Sequence, residues 1–225
     1  KPRVPADNPM SDVKVELGRR LSYDARLSEN KTYSCASCHK QALAFTDGLA
    51  NAAGSTGQLH PRSSMSIVNV AYYTVLTWGN PLIGSLEEQA LLPIFGESPV
   101  ELGLSGKEGV LLERLAAEPL YQDLFGEAFP GEAAPITLKN TVRAMSAFER
   151  RMISYRTPFD RYEYGHDTSA LSEAAIRGKD LFFGEKMECF HCHGEFNFSD
   201  SFATETSGFT EKMFHNTGLY NIGGT

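Results

Sequence analysis

Cys35-Ala36-Ser37-Cys38-His39 and Cys189-Phe190-His191-Cys192-His193 are two C-x-x-C-H motifs in one chain of 225 residues, and together they use all four of its cysteines. Two thiols at this spacing form thioether bonds to a single porphyrin, and the histidine that follows is then held beneath the iron as its proximal ligand. The motifs therefore predict two covalently bound c-type haems, one on Cys35 and Cys38 with His39 on the iron, the other on Cys189 and Cys192 with His193 on the iron. A zinc ribbon also pairs two C-x-x-C elements, but it places them much closer in sequence than Cys35 and Cys189. A thioredoxin-type thiol pair has no need of a following histidine, still less twice.

The length suffices for one sizeable core or two modest ones, and the wide spacing of the motifs predicts two haem-centred units. The net charge is −7, with 21 Lys and Arg against 28 Asp and Glu and no basic cluster. That balance argues against nucleic acid and anionic membranes as partners, while a basic redox protein or a small neutral substrate suits it. No run of about 18 apolar residues is present, so no membrane span is expected. Thioether attachment of haem takes place outside the bacterial cytoplasm, which predicts an exported, periplasmic protein whose signal peptide has been removed. The start at Lys1, without methionine or an apolar leader, agrees with that expectation.

Helix signals dominate along the chain. Leu138, Val142, Met145, Phe148 and Met152 recur at near-helical spacing, with Thr137 as N-cap and Arg150 and Arg151 near the C-terminal end. Ser172 opens a second such segment with Ile176, Leu181 and Phe182, and Ser11 or Asp12 caps a third with Val13, Leu17 and Leu21. Residues 51–61 read as a loop. Between Tyr155 and Leu171 the helical period is lost and breakers accumulate, which marks an inter-unit linker. The expected architecture is all-α: two cytochrome c-like haem domains, residues 1–156 and 157–225, joined by that linker. The flanks of the two motifs differ, so no repeat beyond the motifs is expected.

Three further stretches carry a family pattern: Leu17-Gly18-Arg19-Arg20-Leu21-Ser22-Tyr23-Asp24, Ala44-Phe45-Thr46-Asp47-Gly48 and Ser85-Leu86-Glu87-Glu88-Gln89-Ala90. With Pro158-Phe159-Asp160-Arg161-Tyr162 and Arg177-Gly178-Lys179-Asp180-Leu181-Phe182, they make the chain resemble the bacterial di-haem cytochrome c peroxidase and MauG superfamily. Gly96-Glu97-Ser98-Pro99-Val100-Glu101-Leu102-Gly103 and the segment around His215-Asn216-Thr217-Gly218 are similar to the MbnH-type group within it.

The resemblance implies peroxide activation at the N-terminal haem, on His39, and an electron-storing haem on His193. In the MbnH and MauG branch the oxidising equivalents go to a tryptophan of a partner protein. In ordinary family peroxidases, hydrogen peroxide is reduced with electrons from a small redox protein. A non-enzymatic electron-transfer dihaem cytochrome is a third reading. Carried over residue by residue, the resemblance makes Glu101 the acid that shuttles a proton between the peroxide oxygens, with Glu97 in reserve. It makes Gln89 an amide near bound peroxide and Trp78, the only tryptophan, the bridge between haems. This chain reads Trp78-Gly79-Asn80-Pro81 where the family usually has Trp-Asp-Gly-Arg, which puts the bridge's neighbours in doubt but not the bridge. His60 falls near the place of a removable distal histidine in some peroxidases, but is out of register with it, and a loop histidine without that role is expected. A calcium ion between the units is implied, with Asn69 among its ligands. The family's second ligand to the C-terminal haem comes from a later segment, so the C-terminal unit is expected to be incomplete; Met213, His215 and Tyr220 are the nearer alternatives. His166 and His191 are read as ordinary surface histidines.

Overall fold

The computed structural model describes residues 1–194, 197–208 and 212–216. Helix α1 (Asp12–Tyr23) begins where the Ser11 hydroxyl accepts the Lys14 N–H at 3.3 Å. It buries Leu17, Gly18 and Leu21 on one face. Helix α2 (Cys35–Cys38) is a single turn that carries the first motif. Helix α3 (Leu86–Phe95) is capped by Ser85 and places Glu87 and Glu88 in its first turn, where the helix dipole favours negative charge. Helices α4 (Glu108–Ala116) and α5 (Pro119–Ala128) follow, the second with proline at its start, where no N–H is needed. Helix α6 (Leu138–Arg151) is capped as expected by Thr137, whose hydroxyl accepts the Asn140 N–H at 3.1 Å.

These helices enclose one apolar core. Leu17, Leu21, Ile94, Leu111, Leu115 and Phe125 are wholly buried in it, and Phe125 stacks on Phe129 with ring centroids 6.2 Å apart. Each such side chain contributes roughly 1.5–3 kcal/mol when withdrawn from water. Helices α1 and α6 approach closely at Gly18, where a Cβ would lie 1.8 Å from the Ala144 carbonyl oxygen.

The remainder is built differently. Helix α7 (Pro158–Glu163) lies inside the stretch read as a breaker-rich linker. It forms because Thr157 and Asp160 cap one another's backbone and Pro158 sits at the first helical position. Helix α8 (Glu173–Phe182) starts at Ser172, as expected. Neither buries a residue fully. Phe159, Phe182, Phe183 and Phe198 instead gather around the second motif, the closest pair being Phe159 and Phe198 at 4.9 Å. Residues 201–203 run against 72–74 through Thr74 N–H to Ser201 O and Ala203 N–H to Tyr72 O. The described residues are helical with isolated bridges and no strand.

Candidate active site

Two adjoining hollows open around α2. The inner is lined by Cys35, Cys38, His39, Gln89, Glu101 and Glu149; the outer, about 420 Å³, shares Cys38, His39, Gln89, Glu101 and Glu149 and adds His60 and Trp78. His39 is fixed by a 3.0 Å hydrogen bond between its Nδ1 and the Phe45 carbonyl. That bond leaves Nε2 as the ring nitrogen for a metal, the arrangement in which a second partner sets the tautomer and orientation of a histidine ligand. Burial lowers the pKa of His39, against the pull of the Phe45 and Met65 backbone. It also pushes the Cys35 thiol up to about 12. Such a thiol stays protonated and is a poor nucleophile or thiolate ligand. Cys35 and Cys38 are therefore poor candidates for thiol redox chemistry, and the mostly apolar hollow with one available imidazole nitrogen beside two motif thiols fits a haem.

Glu101 is held by its backbone. Its carbonyl accepts the Ser55 N–H at 2.7 Å, and Leu102 is pinned on both sides, its N–H to Pro93 O and its carbonyl from Glu29 N–H. Gly54 makes this possible, since a Cβ there would lie 1.9 Å from the Val100 carbonyl oxygen. Burial raises the Glu101 pKa, and His60 opposes the rise. Gln89 and Pro93, four residues apart on α3, face the same hollow. Glu97 is exposed and accepts the Ser105 hydroxyl at 2.7 Å, so the structure brings Glu101 rather than Glu97 to the site. His60 lines the outer hollow, with Nδ1 accepting the Arg62 N–H at 3.2 Å.

A third, open hollow holds the second motif: Cys189, Cys192 and His193, with Met213 and His215 on its wall. His193 repeats the device of His39, its Nδ1 3.0 Å from the Phe198 carbonyl. His215 directs Nε2 to Asp200 at 2.5 Å. Tyr220 lies outside the described residues. Trp78 lines both this hollow and the outer one at His39, with its indole N–H on Ser63 O at 3.1 Å and the Arg62 guanidinium 5.1 Å from its ring centre. Asn69 ties the two parts of the chain together. Its Oδ1 accepts the Ser154 N–H at 2.8 Å and its Nδ2 donates to Asn197 Oδ1 at 2.8 Å. These donors are amides without a carboxylate, far from the six to eight oxygens of a calcium shell; the residues gathered here do not fit the ion and no chemistry is assigned to it. His166 lies in an exposed turn and His191 is exposed against Phe190.

Two features escaped the sequence reading. The flanks of the motifs do correspond: Ala44-Phe45-Thr46-Asp47 and Asn197-Phe198-Ser199-Asp200 share an F-[S/T]-D signature. In each case two successive left-handed residues turn the phenylalanine carbonyl back onto the motif histidine (Ala44 and Phe45, φ 52° and 60°; Asn197 and Phe198, φ 62° and 51°). The other feature is Glu149, a carboxylate on the core-facing helix α6 that enters the hollow at His39.

The family model for di-haem cytochrome c peroxidase matches residues 12–168. The chain belongs to that family. Among its relatives, the methylamine utilization protein MauG of Methylorubrum extorquens is 37% identical over 96% of this chain and 56% of its own length. Cytochrome-c peroxidase IdrP1 of Denitromonas iodatirespirans is 41% identical over 84% of this chain and 49% of its own. The crystal structure of a MauG-like protein associated with microbial copper homeostasis superposes with a TM-score of 0.93 at 46% identity, covering 98% of this chain and 63% of that one. The chain thus spans about half the length of the curated relatives it matches. The family carries two haems, in keeping with the two motifs. No helix among the described residues is long and apolar enough to cross a membrane.

Proposed function

We propose that this chain is the haem-bearing part of a periplasmic oxidoreductase that consumes hydrogen peroxide at the His39 site and delivers the oxidising equivalents, by way of the His193 site, to a tryptophan side chain of a partner protein. The observation that carries this reading is the convergence of Cys35, Cys38, His39, Gln89 and Glu101 on one hollow. Cys35 and Cys38 would attach one haem covalently and Cys189 and Cys192 the other, and His39 and His193 would hold the irons. A haem held there would supply the redox chemistry that cleaves peroxide.

The protein's own part is positioning and proton handling. Glu101 takes the proton from one peroxide oxygen and returns it to the other, so that water rather than hydroxide leaves. Its backbone clamps hold the main chain that presents the carboxyl in one place, which lowers the entropy of bringing it to peroxide. The Gln89 amide orients peroxide through hydrogen bonds. Phe45, Pro93 and Leu102 wall off bulk water on the inner side. Trp78, set between the two sites, joins them for electron transfer. The open hollow at His193 is where the partner's side chain is served.

Peroxide treatment of the holoprotein with a co-encoded partner, followed by mass spectrometry, tests this: added oxygen on a partner tryptophan is expected. The 41% identity to a cytochrome-c peroxidase favours a second reading, in which a small redox protein supplies electrons for peroxide reduction. An unmodified partner together with rapid oxidation of a reduced cytochrome or copper protein selects it. Two six-coordinate irons that ignore peroxide reject both and leave an electron-transfer cytochrome.

A further inference from the structure

Glu149 is the one acidic side chain of α6 that enters the hollow at His39. Its stem is partly exposed, but Oε2 is sealed from solvent and has no hydrogen-bond partner. The adjacent Arg150 does not serve it. That guanidinium gives two 2.8 Å hydrogen bonds to Glu87 on α3, and Asn8 adds a third to the same carboxylate at 2.7 Å. Burial alone would raise the Glu87 pKa, yet these partners hold it below the carboxylate range. The cation of the pair is thereby spent on Glu87, and Glu149 faces a hollow without one.

We propose that Glu149 is a second proton-donating residue of the peroxide site, a neutral carboxylic acid that supplies a proton to oxygen within the hollow and is recharged from solvent. The inference rests on the peroxide reading above and deepens it. Reduction of the substrate follows H2O2 + 2 H⁺ + 2 e⁻ → 2 H2O: the O–O bond breaks, the donor protein supplies both electrons, and two protons must enter. The transfer assigned to Glu101 moves a proton that peroxide already carries, so it brings in none. Glu149 passes its proton to the second oxygen, is left as a carboxylate, takes a proton back from solvent through the outer hollow, which both carboxyls line, and passes that one on as well, so that the second oxygen leaves as water.

The surroundings favour the neutral form. Burial, helped by the negative Glu87 and only partly opposed by Arg150, lifts the Glu149 pKa to about 8. From α2, Cys35 faces it as a neutral thiol, and as a thioether once haem is attached. Tyr23, Tyr33, Cys38, His39 and Glu101 line the inner hollow as well, and His60 and Tyr73 line the outer one. No lysine or arginine lines either hollow to draw the proton off.

Infrared spectroscopy of the ferric holoprotein, titrated through neutral and alkaline pH, tests the proposal together with steady-state peroxide turnover. A protonated-carboxyl band that disappears near pH 8, persists in Glu101→Gln and is lost in Glu149→Gln is expected. Turnover in Glu149→Gln should fall by about 100-fold, the usual lower range for removing a general acid, and Glu149→Asp should recover part of it. A wild-type spectrum without such a band, a band that survives Glu149→Gln or vanishes in Glu101→Gln, or unchanged turnover in Glu149→Gln would each overturn it. If Glu149→Gln does not accumulate with haem, the wild-type and Glu101→Gln spectra decide. Absence of wild-type turnover with any donor defeats the peroxide reading, whereas the infrared band reports on Glu149 regardless.

Discussion

Glu101 and Glu149 are two identical side chains in one hollow whose surroundings differ, and the duties proposed for them differ with those surroundings. Glu101 has a histidine across from it and a clamped backbone; Glu149 has a neighbouring arginine already committed elsewhere. Replacing Glu101 by Gln keeps the shape and removes the base, so peroxide cleavage should fall by about 10²–10⁴-fold with haem content unchanged. Stopped-flow mixing with peroxide measures it. Glu149 also leaves a stability signature whose sign is fixed. Its pKa is about 8 in the folded chain against 4.5 for a free glutamate carboxyl, so folding favours the protonated form. The stability it confers is full below the unfolded value and drains away as pH climbs from there through about 8. At ~1.4 kcal/mol per unit, the loss is roughly 5 kcal/mol at most. Denaturant melts across this range should slope downward for the native chain and flatten in Glu149→Gln. Glu101 was legible from its surrounding motif. Glu149 was not, because the apolar period of α6 speaks only for the core face and is silent about a polar residue that borders a hollow.

At the scale of the element, local chemistry was readable and tertiary override was not. Ser11, Thr137 and Ser172 begin helices where a hydroxyl can accept an N–H three residues on, and all three do so. The proline and glycine content of residues 155–171 masked α7, since Pro158 marks a helix start as readily as a break. Gly18 is the element-level feature with the sharpest consequence. Alanine is ordinarily the better helix former, yet here its methyl would strike the Ala144 carbonyl on the partner helix. Gly18→Ala should therefore destabilise by about 2 kcal/mol or more, measured as a lower denaturation midpoint. An increase in stability would show that α1 and α6 can part without cost.

Taken whole, the chain has one dry core and two places for haem, and it treats them unequally. The first lies against the helices that bury Leu17, Ile94 and Phe125; the second is surrounded by half-buried phenylalanines with no fully buried partner among α7 and α8. Removing the second attachment with Cys189→Ala and Cys192→Ala should leave residues 12–152 protected from protease while cleavage appears within 157–194. Protection throughout would mean that the aromatic cluster is sufficient alone. Trp78→Phe should retain both haems and slow oxidation of the partner, because the side chain walls both hollows. Two haems followed from four cysteines; their inequality did not, since it lies in packing that the motifs do not encode. Both motif histidines, the proposed iron ligands, lean on main-chain oxygens, those of Phe45 and Phe198. A carbonyl that draws on the Nδ1 proton makes the imidazole a stronger electron donor. No single side-chain exchange can delete a main-chain oxygen. The electron-giving power of the two rings is thus shielded from most point mutations, and its retuning must come from residues that release or tighten the paired left-handed turns.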